Sequence, residues 1–168
     1  MQKWLTYYTF AILLQIIPFT FAMSEIKKDS DITFQQAMAA YEHSDYLTAG
    51  RLFKLLAKQG HVESQRMLGN MYDKGLGLPQ DFNEAIAWYQ KAAKQNDRVA
   101  QYHLGLKYAN GQGVAENPTE AYIWFAISFN NGYEPAANPL RVLNKSLSTI
   151  DRQQALKVVA QKMEVFER

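Results

Sequence analysis

Gln65-Arg66-Met67-Leu68-Gly69-Asn70-Met71-Tyr72, then Gly75-Leu76-Gly77, then Glu84-Ala85-Ile86-Ala87-Trp88-Tyr89 is the stretch that decides the fold. It returns downstream. Leu104-Gly105, Tyr108, Gly111-Gln112-Gly113, Glu120-Ala121 and Trp124-Phe125 keep its order and gaps at a constant offset of 36 residues. A fixed period of about 20–50 residues marks a chain built from stacked units rather than one irregular globule. A Gly-x-Gly turn stands between a Leu-Gly segment and an aromatic-pair segment, so one unit is two short helices.

Leu68-Gly69, Tyr72, Gly75-x-Gly77, Pro79-Gln80-Asp81, Ala85, Trp88-Tyr89 and Lys91-Ala92-Ala93 together resemble the Sel1-like repeat family, a relative of the tetratricopeptide repeat. The second copy keeps fewer of these, with Ala115 in place of Pro79 and Ser128-Phe129 in place of Ala92-Ala93. The resemblance spans residues 35–143 and implies an all-α, right-handed αα-superhelix, a short solenoid closed by a C-terminal capping helix. It also implies an adaptor or assembly role rather than catalysis.

The spacing divides the chain into an opening unit 33–60, full repeats 61–96 and 97–132, a half unit 133–147 and a capping helix 148–168. In the first full repeat, helix A runs from Val62 to Asp73 and helix B from Phe82 to Gln95, the latter opened by Asp81 with an acid three residues on. In the second, helix A covers Arg98 to Ala109, and helix B opens with Asn117-Pro118-Thr119-Glu120, an N-cap Asn before a Pro whose missing N–H costs nothing there. Gly60, Asn96 and Gly132 sit where each unit needs a left-handed residue after its second helix. In the opening unit, Asp31 or Thr33 starts a helix through Phe34, Ala37, Met38 and Tyr41, and a second helix spans Tyr46 to Lys58. Ser148 caps the last helix, whose apolar stripe is Ala155, Val159, Met163 and Phe166, with Arg152, Lys157, Gln161 and Glu164 facing away. Gly69 and Gly105 are expected where helix B approaches helix A closely.

Upstream, a short positive start is followed by an almost wholly apolar run from Trp4 to Ala22, with small residues at Thr20 and Ala22. This is the pattern of a cleavable export signal, 1–22, leading through a polar linker, 23–32, to a periplasmic or secreted domain. An uncleaved membrane anchor is the competing reading, because the run is near the roughly 20 residues that span a bilayer. Removing 1–22 takes away Lys3 alone among the charged residues.

The chain of 168 residues carries 18 basic and 16 acidic residues, a near-balance unlike the basic stripe of a nucleic-acid binder. With no Cys there is no disulfide frame, thiolate metal site or thiol nucleophile. His43, His61 and His103 lack a partner four residues on, and no metal or cofactor is expected. Gly75-x-Gly77 and Gly111-x-Gly113 have neither the third Gly nor the preceding strand of a phosphate loop. The expected function is a non-catalytic module of the cell envelope that docks a protein or peptide. A cell-wall hydrolase or regulator is the alternative.

The candidate site follows from the resemblance, which places the A helices on the concave face. Ser64, Leu68 and Tyr72 are taken by packing. Glu63, Arg66, Asn70 and Asp73 share the other face of the first full A helix, and their equivalents are Val99, Tyr102, Leu106 and Ala109. The groove is therefore polar at one end and apolar at the other, suited to a peptide with one charged and one apolar anchor. Covering of Val99, Tyr102 and Leu106 by the chain's own C-terminal helices is the alternative.

Overall fold

The helices of the repeat units start where a side chain takes up a free backbone N–H, and stop where a left-handed residue turns the chain back. The computed structural model describes residues 29–166, Phe166 by its backbone alone. The expected signal 1–22 and linker residues 23–28 lie outside the described residues. Helix α1 covers residues 29–42. It is followed by α2 (Tyr46–Lys58), α3 (Val62–Lys74), α4 (Phe82–Lys94), α5 (Arg98–Asn110), α6 (Pro118–Asn130), a 3-10 turn (Glu134–Ala136), α7 (Ala137–Ser146) and α8 (Thr149–Phe166). No strand occurs among the described residues. The molecule is an all-α repeat solenoid, with α3/α4 and α5/α6 as its two full units.

The caps repeat with the units. Asp81 Oδ1 accepts from the N–H groups of Asn83 and Glu84, and Asn117 Oδ1 accepts from Glu120 N–H at 3.0 Å. Asp97 accepts from Ala100 N–H at 2.7 Å. Asn96 takes φ 66°, the left-handed conformation its position requires. After α3 and α5, Asp81 N–H returns to Tyr72 O and Asn117 N–H to Tyr108 O, closing both hairpins alike.

Two pairs of glycines set the stacking. A Cβ on Gly69 would lie 2.8 Å from the Tyr89 ring, and one on Gly105 would lie 2.7 Å from the Phe125 ring, so each A helix presses directly on an aromatic of its own B helix. Gly77 and Gly113, both at positive φ, lie against the first residue of the preceding B helix. There a Cβ would meet Tyr46 backbone atoms at 2.5 Å and the Phe82 carbonyl carbon at 2.8 Å.

A buried glutamine ties neighbouring units together. Gln65 Nε2 donates to Ala57 O and Gln101 Nε2 to Ala93 O, both pairs one repeat apart. Gln95 and Asn131 then donate to the side-chain oxygens of these glutamines at 2.8 Å. The buried amides of Gln65 and Gln101 are thereby satisfied at both seams.

The core runs along the stack. At the N-terminal end Ala37, Phe53, Met71 and Trp88 are buried together, and at the other end Tyr89, Leu104, Ile123 and Ile127 meet Ala155 and Val159 of α8. Residues Ala121 to Ser128 of α6 are all buried, because α5, α7 and α8 cover that helix from different sides. The capping role of α8 is a consequence.

Two details differ from the sequence expectation. Residues 29–32, expected in the linker, already belong to α1, where Thr33 Oγ1 donates to Asp29 O one helical turn earlier. Arg152 does not face away: its guanidinium donates to Asn144 O at 3.0 Å, satisfying a carbonyl near the end of α7.

Candidate functional site

The seven expected site residues lie on α3 and α5, and the structure treats the two groups differently. Glu63 is exposed at the start of α3 beside His61, at 3.8 Å. Arg66, Asn70 and Asp73 are half-buried, and each is engaged across helices. Arg66 Nε donates to Asp97 Oδ2 at 3.1 Å, so the carboxylate that caps α5 also holds α3. Asn70 Oδ1 accepts from the Tyr41 hydroxyl of α1 at 3.3 Å. Asp73 pairs with Lys107 of α5, whose ammonium also donates to Gln112 at 3.0 Å and lies 4.8 Å from the Phe82 ring.

The polar end of the face is thus a row of cross-helix contacts joining α1, α3 and α5. The Asp73–Lys107 pair is largely withdrawn from water, with side-chain exposures of 14% and 5%. A buried pair of this kind holds only while both partners are present.

Two aromatic groups lie beneath this row. His103 stacks on Tyr89 with ring centroids 4.9 Å apart and planes 5° from parallel. Burial pushes the His103 pKa down to about 4; Asp73 opposes this, and Lys107, Arg66 and Lys74 add to it. Burial, and after it the Asp73 carboxylate, pushes the Tyr89 phenol up. The Tyr89 hydroxyl is buried between these groups without a hydrogen bond of good geometry.

The apolar end is built otherwise. Tyr102 packs 5.5 Å from Phe125 and 5.2 Å from Tyr133, in tilted ring pairs. Tyr102 and Leu106 lie against a buried cluster of Ala121, Phe125 and Ala136 that Leu140 and Leu143 of α7 also flank. They are the half-exposed edge of a core that the half unit completes, and Val99 is likewise half-exposed. The structure therefore brings Arg66, Asn70 and Asp73 into one polar row, leaves Glu63 at its open end, and draws Tyr102 and Leu106 toward α7.

Lys107, Asp97 and His103 take part in this face and carry no sequence signal of it. Their repeat equivalents are Met71, His61 and Met67, so periodicity does not mark them. Among the described residues, no group of three or more His, Asp or Glu side chains could hold a metal ion. No helix among them is long and apolar enough to cross a membrane.

The family model for the Sel1 repeat matches residues 62–97 and 98–133, which are the units α3/α4 and α5/α6 with their turns. Among solved structures, the chain is similar to a protective antigen of uropathogenic Escherichia coli displaying an SLR fold, at 26% identity and a TM-score of 0.78 over 83% of this chain. It spans 31% of that protein's length. A Sel1 repeat protein from Oxalobacter formigenes is 32% identical with a TM-score of 0.54, over 56% of this chain and 38% of the other. Helicobacter pylori cysteine rich protein B shares the fold at 24% identity and a TM-score of 0.53, over 67% of this chain and 95% of its own. No curated protein matches the sequence significantly.

Proposed function

Since the chain is a Sel1-repeat protein, we propose that it is a non-catalytic docking module of the cell envelope that takes a protein or peptide partner on the face formed by α1, α3 and α5. One observation carries this reading. Arg66 and Asn70 stand partly exposed along α3, next to Asp73 held in its pair with Lys107, and the ring of Tyr102 is partly exposed on α5. Such a surface offers hydrogen-bonding groups and an aromatic anchor on two adjacent repeats, and the cross-helix ion pairs hold the α3 side chains in place before any partner arrives. The repeat-to-repeat variation at these positions supports recognition, since Glu63, Arg66 and Asn70 become Val99, Tyr102 and Leu106 while Gln65, Leu68 and Gly69 between them recur as Gln101, Leu104 and Gly105. The small residues Thr20 and Ala22 closing the apolar run support export with removal of 1–22.

A single-cysteine crosslink tests both parts, because the chain has no cysteine of its own. Glu63→Cys carrying a benzophenone is expected to give a discrete adduct in the native envelope. Gln153→Cys on the outer side of α8 should give none. Adding Arg66→Ala should weaken the Glu63 adduct, and the recovered chain should lack the mass of Met1–Ala22. The docking reading fails if the two positions give the same adducts or none, and export by cleavage fails if the full mass persists.

A further inference from the structure

The outer side of α2 carries a surface that the rest of the repeat does not cover. Leu47 and Leu55 are 76% and 52% exposed, and Arg51, Lys54 and Lys58 stand exposed among them. Helical spacing places these five on one side of α2, opposite the buried Ala49, Phe53 and Leu56. The helix contains no acidic residue, and among the described residues none of its three cations is in an ion pair. The carboxyl of its capping residue Asp45 is held below its usual range by bonds to Thr48 and, more weakly, by Arg51.

The repeat shows what this side of a B helix is for. Two units on, Arg51, Lys54 and Leu55 become Ile123, Ala126 and Ile127, which are buried where α8 lies across them. One unit on, Leu55 and Lys58 become Lys91 and Lys94, both exposed, with the Lys91 ammonium 3.7 Å from the Trp88 ring centroid. The same side thus changes from a covered apolar contact at α6 to a bare, cationic and partly apolar surface at α4 and α2.

We propose that this side of α2 and α4 rests on an anionic lipid bilayer, with the cations over headgroup phosphates and Leu47 and Leu55 entering between them. Two observations select this occupant over an acidic polypeptide. The cations flank exposed leucines on the outward side of a helix, the arrangement of interfacial binding. The apolar run 4–22 ends shortly before α1, with Lys27 and Lys28 between, and Asp29, Ser30 and Thr33 line a cleft together with Leu55, Leu56 and Gln59. Lys27 and Lys28 remain on the chain after removal of 1–22 and directly precede the residues that line this cleft. The inference is independent of what docks on the other face.

The test places a polarity-sensitive dye on the full chain at Leu55→Cys and, separately, at Gln153→Cys. Vesicles of phosphatidylglycerol with phosphatidylcholine are compared with phosphatidylcholine alone. A blue shift is expected at Leu55 only, on anionic vesicles only, and reversed by about 0.5 M salt. Arg51→Glu/Lys54→Glu/Lys58→Glu in the Leu55-labelled chain, with its fold checked by circular dichroism, should weaken vesicle affinity by about tenfold or more. Equal shifts on both vesicle types, equal shifts at both dye positions, or no shift would overturn the proposal. A shift with polyglutamate but not with vesicles would also overturn it and assign the surface to an acidic polypeptide.

Discussion

Met67 and Met71 of α3 occupy the positions that His103 and Lys107 occupy on α5, one repeat later. The methionines close a seam toward α1 and α2 that is apolar, packed with Ala37, Ala49 and Phe53. The His and Lys close the next seam, toward α3, against Tyr89 and Asp73. The backbone unit is the same in both: both hairpins close alike, and both Leu-Gly pairs press on an aromatic. The period therefore fixes the shape of a unit and leaves the chemistry between units free. The polar seam works because α3 carries Asp73 where α5 carries Ala109. An α5 surface would bury an unpaired ammonium against any neighbour lacking that acid. The charges thus specify which unit stacks on which, a role that buried polar pairs serve even where they add little stability.

Breaking the pair gives the largest expected effect. Asp73→Ala leaves Lys107 buried and unpaired and should cost about 3–5 kcal/mol in urea unfolding. Adding Lys107→Met writes the chemistry of the first seam into the second and should recover most of that loss. If Asp73→Ala is neutral, or if the double variant is no better than the single one, the second seam is not held by this pair.

The next effect concerns what the two seams share. Gly105→Ala puts a methyl group against the Phe125 ring and Gly69→Ala puts one against the Tyr89 ring, at closely similar distances. Each should destabilise by about 1–3 kcal/mol through overpacking, and by similar amounts. A large difference between them would show that the polar seam yields to strain differently from the apolar one.

The same contrast separates what could be read in the sequence from what could not. The 36-residue offset carries Leu68 to Leu104, Gly75 to Gly111 and Trp88 to Trp124, and the bounds of α2 to α6 follow from it to within one residue. Asn96 was legible as a left-handed position because Gly60 and Gly132 hold the equivalent places. Gln65 and Gln101 recur at the same offset, a visible signal of a repeated role, but a polar residue on an amphipathic pattern does not reveal the carbonyl it will reach. Lys107 was further from view. It pairs with a residue 34 positions away, off the repeat, and its own pattern position is one that Met71 fills with an apolar side chain. Arg66 and Asp73 were legible as sharing a face of α3. That α5 would bind both is a property of the seam, which local spacing cannot express. Tyr102 and Leu106 were placed on α5 correctly, and the extent of their burial depended on where the decayed half unit came to rest.

The smallest effect is a slope with pH. His103 is neutral in the folded chain because its ring is buried on Tyr89, which holds its pKa at about 4. In the unfolded chain the same side chain takes up a proton near its ordinary value of about 6.5. Between those two pH values the unfolded state binds more protons, so stability rises with pH. The contribution is complete above about 6.5 and is lost progressively as the pH falls toward about 4. One pH unit within that window corresponds to about 1.4 kcal/mol at full effect, so about 1 kcal/mol is expected between pH 7 and about 5.5. His103→Met places at this position the residue that the first seam uses, and removes the proton uptake without removing the apolar contact with Tyr89. Urea midpoints of the parent chain should therefore fall more steeply with acidification than those of the variant, and the difference should vanish above neutrality. If the two chains lose stability in parallel over the window, the acid sensitivity of the fold lies elsewhere, and the neutral ring of His103 is not what distinguishes the second seam from the first.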